Sequence, residues 1–145
     1  MAKQHRYGAA VHEAGHAVVA WALKVETRRM AIGVNGDDAA GEADIDDSRH
    51  LPLIDQIAIY SAGVDAQRML GAPIHDLGAM MDMNGIQELV EDYPDDEGEA
   101  HRYAGYRRSK ELLGLHRATV ERLAQVLAER AELNQVEIEQ ILLAQ

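Results

Sequence analysis

Val11-His12-Glu13-Ala14-Gly15-His16-Ala17 is the stretch that decides how this chain reads. The small and apolar residues around it, Ala10, Ala14, Ala17, Val18, Trp21 and Ala22, recur at three- and four-residue steps. That period predicts a largely buried amphipathic helix over about residues 9–23. On such a helix, residues four apart lie only about 40° apart around the axis, so His12 and His16 project from one face and can clamp one metal ion. Glu13 stands about 100° from His12, beside the ion rather than on it, where its carboxylate can take a proton from a metal-activated water. With seven His and thirteen Glu in 145 residues, random shuffling places an HExxH pattern somewhere in the chain with a probability of only about 0.03. Gly15, inside the same helix, costs about 1 kcal/mol relative to alanine and marks close approach by another segment.

The chemistry implied is hydrolysis with zinc. Water at neutral pH is a poor nucleophile towards an amide, and lowering its pKa from about 15.7 to about 7 is worth roughly 12 kcal/mol. A catalytic zinc takes three protein ligands and keeps a fourth position open. The third ligand, a His, Asp or Glu, must arrive from elsewhere in the fold, and the spacing alone does not name it.

Composition narrows the alternatives. A chain of 145 residues with 47% hydrophobic and 27% charged residues is expected to fold as a single domain over 1–145. The net charge of −11 repels a phosphate backbone, and one Trp, five Tyr and no Phe leave little for stacking on bases, so nucleic acid is not an expected partner. Without cysteine, His and carboxylates are the strong metal ligands on offer. No apolar run approaches the length of a membrane span and the amino terminus does not read as a signal peptide, so a cytoplasmic location is expected.

Beyond the first helix, Arg29–Val34 and a second run through Ala43-Asp44-Ile45 read as a small hairpin, whose strand near Ala31 to Val34 is expected to offer an edge to an extended peptide. Pro52 is expected as the first residue of a second helix that Gly71 ends. The pattern breaks around Gly71 to Gly78, and a third helix is expected from Met83 to Val90, with Pro94 at the next corner. Helical periods then run through Tyr103 to Leu113, Val120 to Leu127 and Val136 to Leu142, the last opened by a capping box of Asn134 and Glu137. The expected fold class is therefore mainly α with a small β-hairpin. The acidic clusters at Asp37 to Asp47 and Glu91 to Glu99 read first as solvated loops and second as selectors of basic substrates.

Ala10-Val11-His12-Glu13-Ala14-Gly15-His16-Ala17-Val18-Val19 resembles the zinc motif of the peptidase domain of FtsH-type membrane AAA+ proteases. Ala62-Gly63 to Gly71 is similar to that family's glycine-flanked helix, and Leu112 through Leu143 to its closing helices. Gly78-Ala79-Met80-Met81-Asp82 resembles the Gly-Ala-x-x-Asp segment that supplies its third zinc ligand, which nominates Asp82, with His75 and Asp76 nearby as further candidates. The resemblance implies a helical zinc endopeptidase binding Zn2+ through His12, His16 and Asp82, with Glu13 as general base. The family's ATPase module and membrane anchor have no counterpart in these residues. The expected substrate is accordingly a peptide or unfolded segment, with a separate ATPase as the partner that would deliver folded proteins, and the family's ring habit makes a homo-oligomer an option. Two departures bear on the site. Met80 and Met81 stand where the family has polar residues, and its paired glutamates before Gly71 are replaced by Asp65-Ala66-Gln67-Arg68, leaving Asp65 or Gln67 to orient a ligating His. The competing expectation is a zinc-stabilised binding or regulatory module without catalysis.

Overall fold

Helix α1 (Ala2–Ala22) runs through the core and contacts three of the other helices and two strands. In the computed structural model, which describes residues 2–144, it begins seven residues earlier than the apolar period predicts, because its first turns are polar and carry no hydrophobic pattern. Arg6 in this extension donates through Nε to the carbonyl of Ala128 at 2.8 Å. From Ala9 to Ala20 the helix is buried all round, with Ala10, Val11, Ala14, Ala17, Val18, Val19 and Ala20 wholly shielded from solvent.

Two helices flank α1: α2 (Leu53–Leu70) on one side and α5 (Arg117–Arg130) on the other. Pro52 stands at the N-cap rather than inside α2, and Gly71 closes it at φ 65°, a left-handed conformation that glycine adopts without strain. Leu113, Leu123, Leu127, Leu133 and Ile138 complete an aliphatic core that contains no phenylalanine. α1 and α2 meet at a glycine: a Cβ on Gly15 would collide with the carbonyl oxygen of Ala62 and the methyl of Ala66.

The β element is larger than a hairpin. β1 (Thr27–Ile32) pairs antiparallel with β2 (Gly41–Ile45) and also with β3 (Glu132–Asn134), so the order is β2-β1-β3. β1 is therefore the central strand, and the expectation that residues 31–34 offer a free edge is corrected: Ala31 faces Glu42 on one side and Glu132 on the other, and Val34 lies in a short 3-10 turn. The open edge on the α1 side belongs to β2. β3 has only three residues, too few to show a period, and is held by burial of Leu133 opposite Met30.

α3 (Asp76–Val90) also departs from expectation, starting seven residues before Met83. Gly78 lies within the helix instead of breaking it, and the apolar residues of its first half, Leu77, Met80 and Met81, are more than half exposed, so they show no buried face. Only the second half is anchored, through Ile86 and Val90 against Ile57 of α2. α4 (Asp95–Leu115) starts after Pro94 with Asp95, Asp96 and Glu97 in its first turn, where carboxylates favour the helix dipole. In its basic stretch, Arg108 pairs with Asp55 of α2 at 3.3 Å. α6 (Gln135–Leu143) opens with the expected capping box: Asn134 accepts from the Glu137 amide at 2.9 Å, and Glu137 from the Asn134 amide at 3.0 Å. No helix among the described residues is long and apolar enough to cross a membrane.

The α1–α2 contact gives the first test. Gly15→Val forces a branched side chain against the backbone of α2, and overpacking of this kind costs about 2–3 kcal/mol, to be read as a lower urea midpoint. An unchanged midpoint would mean that the two helices do not meet at Gly15.

Candidate metal centre

Three side chains from two distant segments converge where α1, α2 and α3 meet. His12 and His16 come from adjacent turns of α1 and Asp82 from α3. The two Nε2 atoms lie 3.0 Å apart, and the Asp82 Oδ2 is 2.9 Å from that of His12 and 3.0 Å from that of His16. These residues could hold a metal ion. Asp82 thus stands where it was expected, although on a helix rather than a loop. Asp76 is exposed at the start of α3 and His75 caps that helix, and neither belongs to the cluster. Of the other histidines, His116 packs edge-on against Trp21 and His101 against Tyr93.

The remaining ring nitrogens decide what this convergence means. His16 Nδ1 lies 2.6 Å from the carbonyl oxygen of Ile59, which can only accept, so Nδ1 carries the hydrogen. His12 Nδ1 lies 3.0 Å from Gln67 Oε1. The orientation of that amide is set by its nitrogen, which donates to the carbonyls of Gly8 at 3.0 Å and Pro73 at 2.9 Å, so His12 Nδ1 is a donor as well. Both neutral rings therefore present bare Nε2 lone pairs to each other and to a carboxylate oxygen. Three lone pairs at about 3 Å repel unless a cation sits among them, and the available cations are a proton or a metal ion. Of the two residues proposed to orient a ligating His, Gln67 does so, while Asp65 accepts a hydrogen bond from Ser61.

Gly63 makes the approach possible. A Cβ there would lie 2.6 Å from His12 Nε2 and from His16 Nε2. It sits one turn after Ile59 on α2, so a missing side chain at 63 also opens the lane to the Ile59 carbonyl. The sequence reading placed Gly63 in the glycine-flanked helix without a part in the site, and the Ile59 carbonyl escaped it. A helix-interior glycine at Gly63 was a usable signal, whereas a backbone carbonyl leaves none.

The site lies at the bottom of a cleft of about 570 Å³, walled on one side by β2 and on the other by α3 through Gly78 and Met81. Glu13 lines the same cleft. It is only 8% exposed and has no hydrogen-bond or ion-pair partner among the described residues. A Cβ on Gly41 would lie 2.9 Å from its Oε2, so the absence of a side chain at the start of β2 leaves room for this carboxylate. Burial raises the pKa of Glu13, an effect only partly offset by the two imidazoles. For His16, burial works against protonation, but the hydrogen bond and charge of Asp82, with Glu13 and Ile59, prevail and hold it up to about 9. For Asp82, burial raises and the two histidines lower, and the histidines prevail, bringing it to about 2. With no ion bound, a proton on His16 is thus the charge that satisfies the cluster.

In comparison with known proteins, no family model matches this chain and no curated protein matches it.

Linkage fixes the sign of the pH dependence. In chelator-treated protein, the His16 contribution is complete below about pH 6.5 and is lost as pH rises through about 9. The raised Glu13 pKa acts in the same direction, whereas the Asp82 contribution is present above pH 3.8 and lost towards about 2. Denaturation midpoints of the metal-free protein should therefore fall between pH 6.5 and 9, while metal affinity rises over that interval as the competing proton leaves. A flat profile in both measurements would remove the shared-cation description. Separately, Gln67→Leu leaves the His12 Nδ1 hydrogen without an acceptor and should weaken metal binding by about 10–100-fold, measured by competition with a chromogenic chelator. Parental affinity would show that Gln67 has no part in orienting the ring.

Proposed function

We propose that this protein is a zinc-dependent endopeptidase of the FtsH peptidase type, cutting unfolded or flexible polypeptide. The single observation that carries the reading is the placement of an unpartnered, buried carboxylate, Glu13, beside two imidazoles and an aspartate whose lone pairs converge. Tetrahedral zinc, with ligand distances of roughly 2.0–2.1 Å, sets its ligand atoms about 3.3 Å apart, close to the spacing of these three atoms. The mixture of two neutral imidazoles and one carboxylate suits that ion and leaves a fourth position for the reaction. When bound, zinc would supply Lewis acidity to a water and to the substrate carbonyl.

The chain's own residues account for the rest. Glu13, beside the ligands, accepts the proton of the attacking water. Its burial raises the carboxyl group's hold on that proton, so the same group can then deliver it to the amine that leaves. Gln67 and the Ile59 carbonyl fix the imidazoles. Substrate is positioned by β2. The Gly33 amide donates to Ala40 O and the Asp46 amide to Glu26 O, both on the β1 side of the strand. Antiparallel alternation then turns the backbone groups of Gly41, Ala43 and Ile45 to the open edge, where an extended peptide can add as a further strand. An extended segment fits this strand-addition mode and a folded domain does not, so a separate ATPase is the fitting partner if folded proteins are to be degraded.

Glu13→Gln tests the assignment. The variant should bind zinc in a 1:1 ratio by elemental analysis and lose cleavage of casein by at least about 10²-fold, whereas Asp82→Ala should lose the metal itself. Undiminished cleavage by Glu13→Gln would reject Glu13 as the base. A parent protein that binds zinc tightly yet cuts no polypeptide would favour the zinc-stabilised binding module.

A further inference from the structure

Charge around the cleft is one-sided in a way that peptide hydrolysis does not require. Along β2, exposed Glu42 and Asp44 alternate with the partly buried Gly41, Ala43 and Ile45, and Asp46 and Asp47 extend the same wall. Counter-charges do not keep pace. Arg28 pairs with Asp46 at 2.7 Å and Arg49 with Asp47 at 2.7 Å, while Arg29 is shared between Glu42 and Glu132. Asp44 has no ion-pair partner among the described residues. Four carboxylates on the wall thus meet three guanidiniums, one of them shared with Glu132 of β3, so the wall keeps a net negative charge. Among the described residues Arg49 is the only Lys or Arg lining the cleft, and it is occupied by Asp47 through both Nε and Nη2. Independently of this charge, the unpartnered Glu13 points to a ligand in the same space.

We propose that the open edge of β2 selects extended polypeptides carrying Lys or Arg at alternate positions. A strand added beside β2 has side chains that alternate with the same period of two, so every second residue falls on the face that carries Glu42 and Asp44. The other set lies over Gly41 and Ala43, whose small size leaves room for large apolar side chains. A bound zinc ion does not erase the asymmetry, because its two charges are matched by Asp82 and Glu13, both in the cleft. The chain's net charge of −11 adds a long-range attraction for basic segments. This selection names a substrate class for the hydrolytic site proposed above and rests on that reading for cleavage, though not for binding.

The test uses three fluorescent peptides, identical except for Lys, Ala or Glu at alternate positions. Binding to zinc-loaded Glu13→Gln is followed by anisotropy and cleavage by the parent enzyme through kcat/KM. Affinity should fall in the order Lys, Ala, Glu, with about tenfold between the extremes from two cross-strand pairs, and the spread should shrink in 0.5 M salt, an ionic strength at which the Debye length is about 4–5 Å. Asp44→Lys should narrow the ratio of Lys to Glu peptide severalfold, with the far-ultraviolet spectrum unchanged. Equal affinity for all three peptides, or a ratio that Asp44→Lys leaves in place, overturns the selection even if casein is cut. Preferential binding of the Lys peptide with no cleavage keeps the selection and removes the hydrolase reading.

Discussion

Two imidazole nitrogens and a carboxylate oxygen, all acceptors, are forced to within about 3 Å of one another, and the surrounding fold is arranged to tolerate that. The repulsion is not relieved by tautomer exchange, because each Nδ1 is committed to an acceptor that cannot reverse its role: a helix carbonyl for His16, and for His12 an amide oxygen whose partner nitrogen is itself held by two carbonyls. A cation is the remaining solution. Packing enforces the geometry from both sides. Gly15 lets α1 sit against α2, and Gly63 lets the rings lie over the backbone of α2, so a side chain at either position would push the cluster apart.

This explains why some of the site was legible in the sequence and some was not. His12, Glu13 and His16 could be read because helical periodicity converts spacing into direction, and the structure keeps all three at the cleft. Asp82 was reached only through resemblance, since a contact spanning 66 positions has no local signature. Its position on a helix was missed for a related reason: the first half of α3 buries almost nothing, and periodicity reports burial rather than helicity. The third strand escaped because three residues cannot display a period of two, and that omission misplaced the free edge. Once β3 covers one side of β1, the exposed edge passes to β2, which is the strand that faces the histidines. The helical remainder, including the capping box at Asn134 and the stop at Gly71, was readable because its signals are local.

In the function proposed, Glu13 is the residue that distinguishes a reactive centre from a structural one. A closed structural site would have directed a fourth ligand into the cluster and satisfied every polar atom nearby. Here a carboxylate is more than nine-tenths buried, with no hydrogen-bond donor among the described residues, and its oxygens open onto the cleft. On the proposed reading, that placement suits a group that exchanges a proton with a water in the cleft. The raised affinity produced by burial is what a general base must have if it is to become an acid later in the same cycle. Burial tunes this ionisable group upward at the position where the proposed chemistry needs it, and the glycine at 41 leaves the space that it occupies.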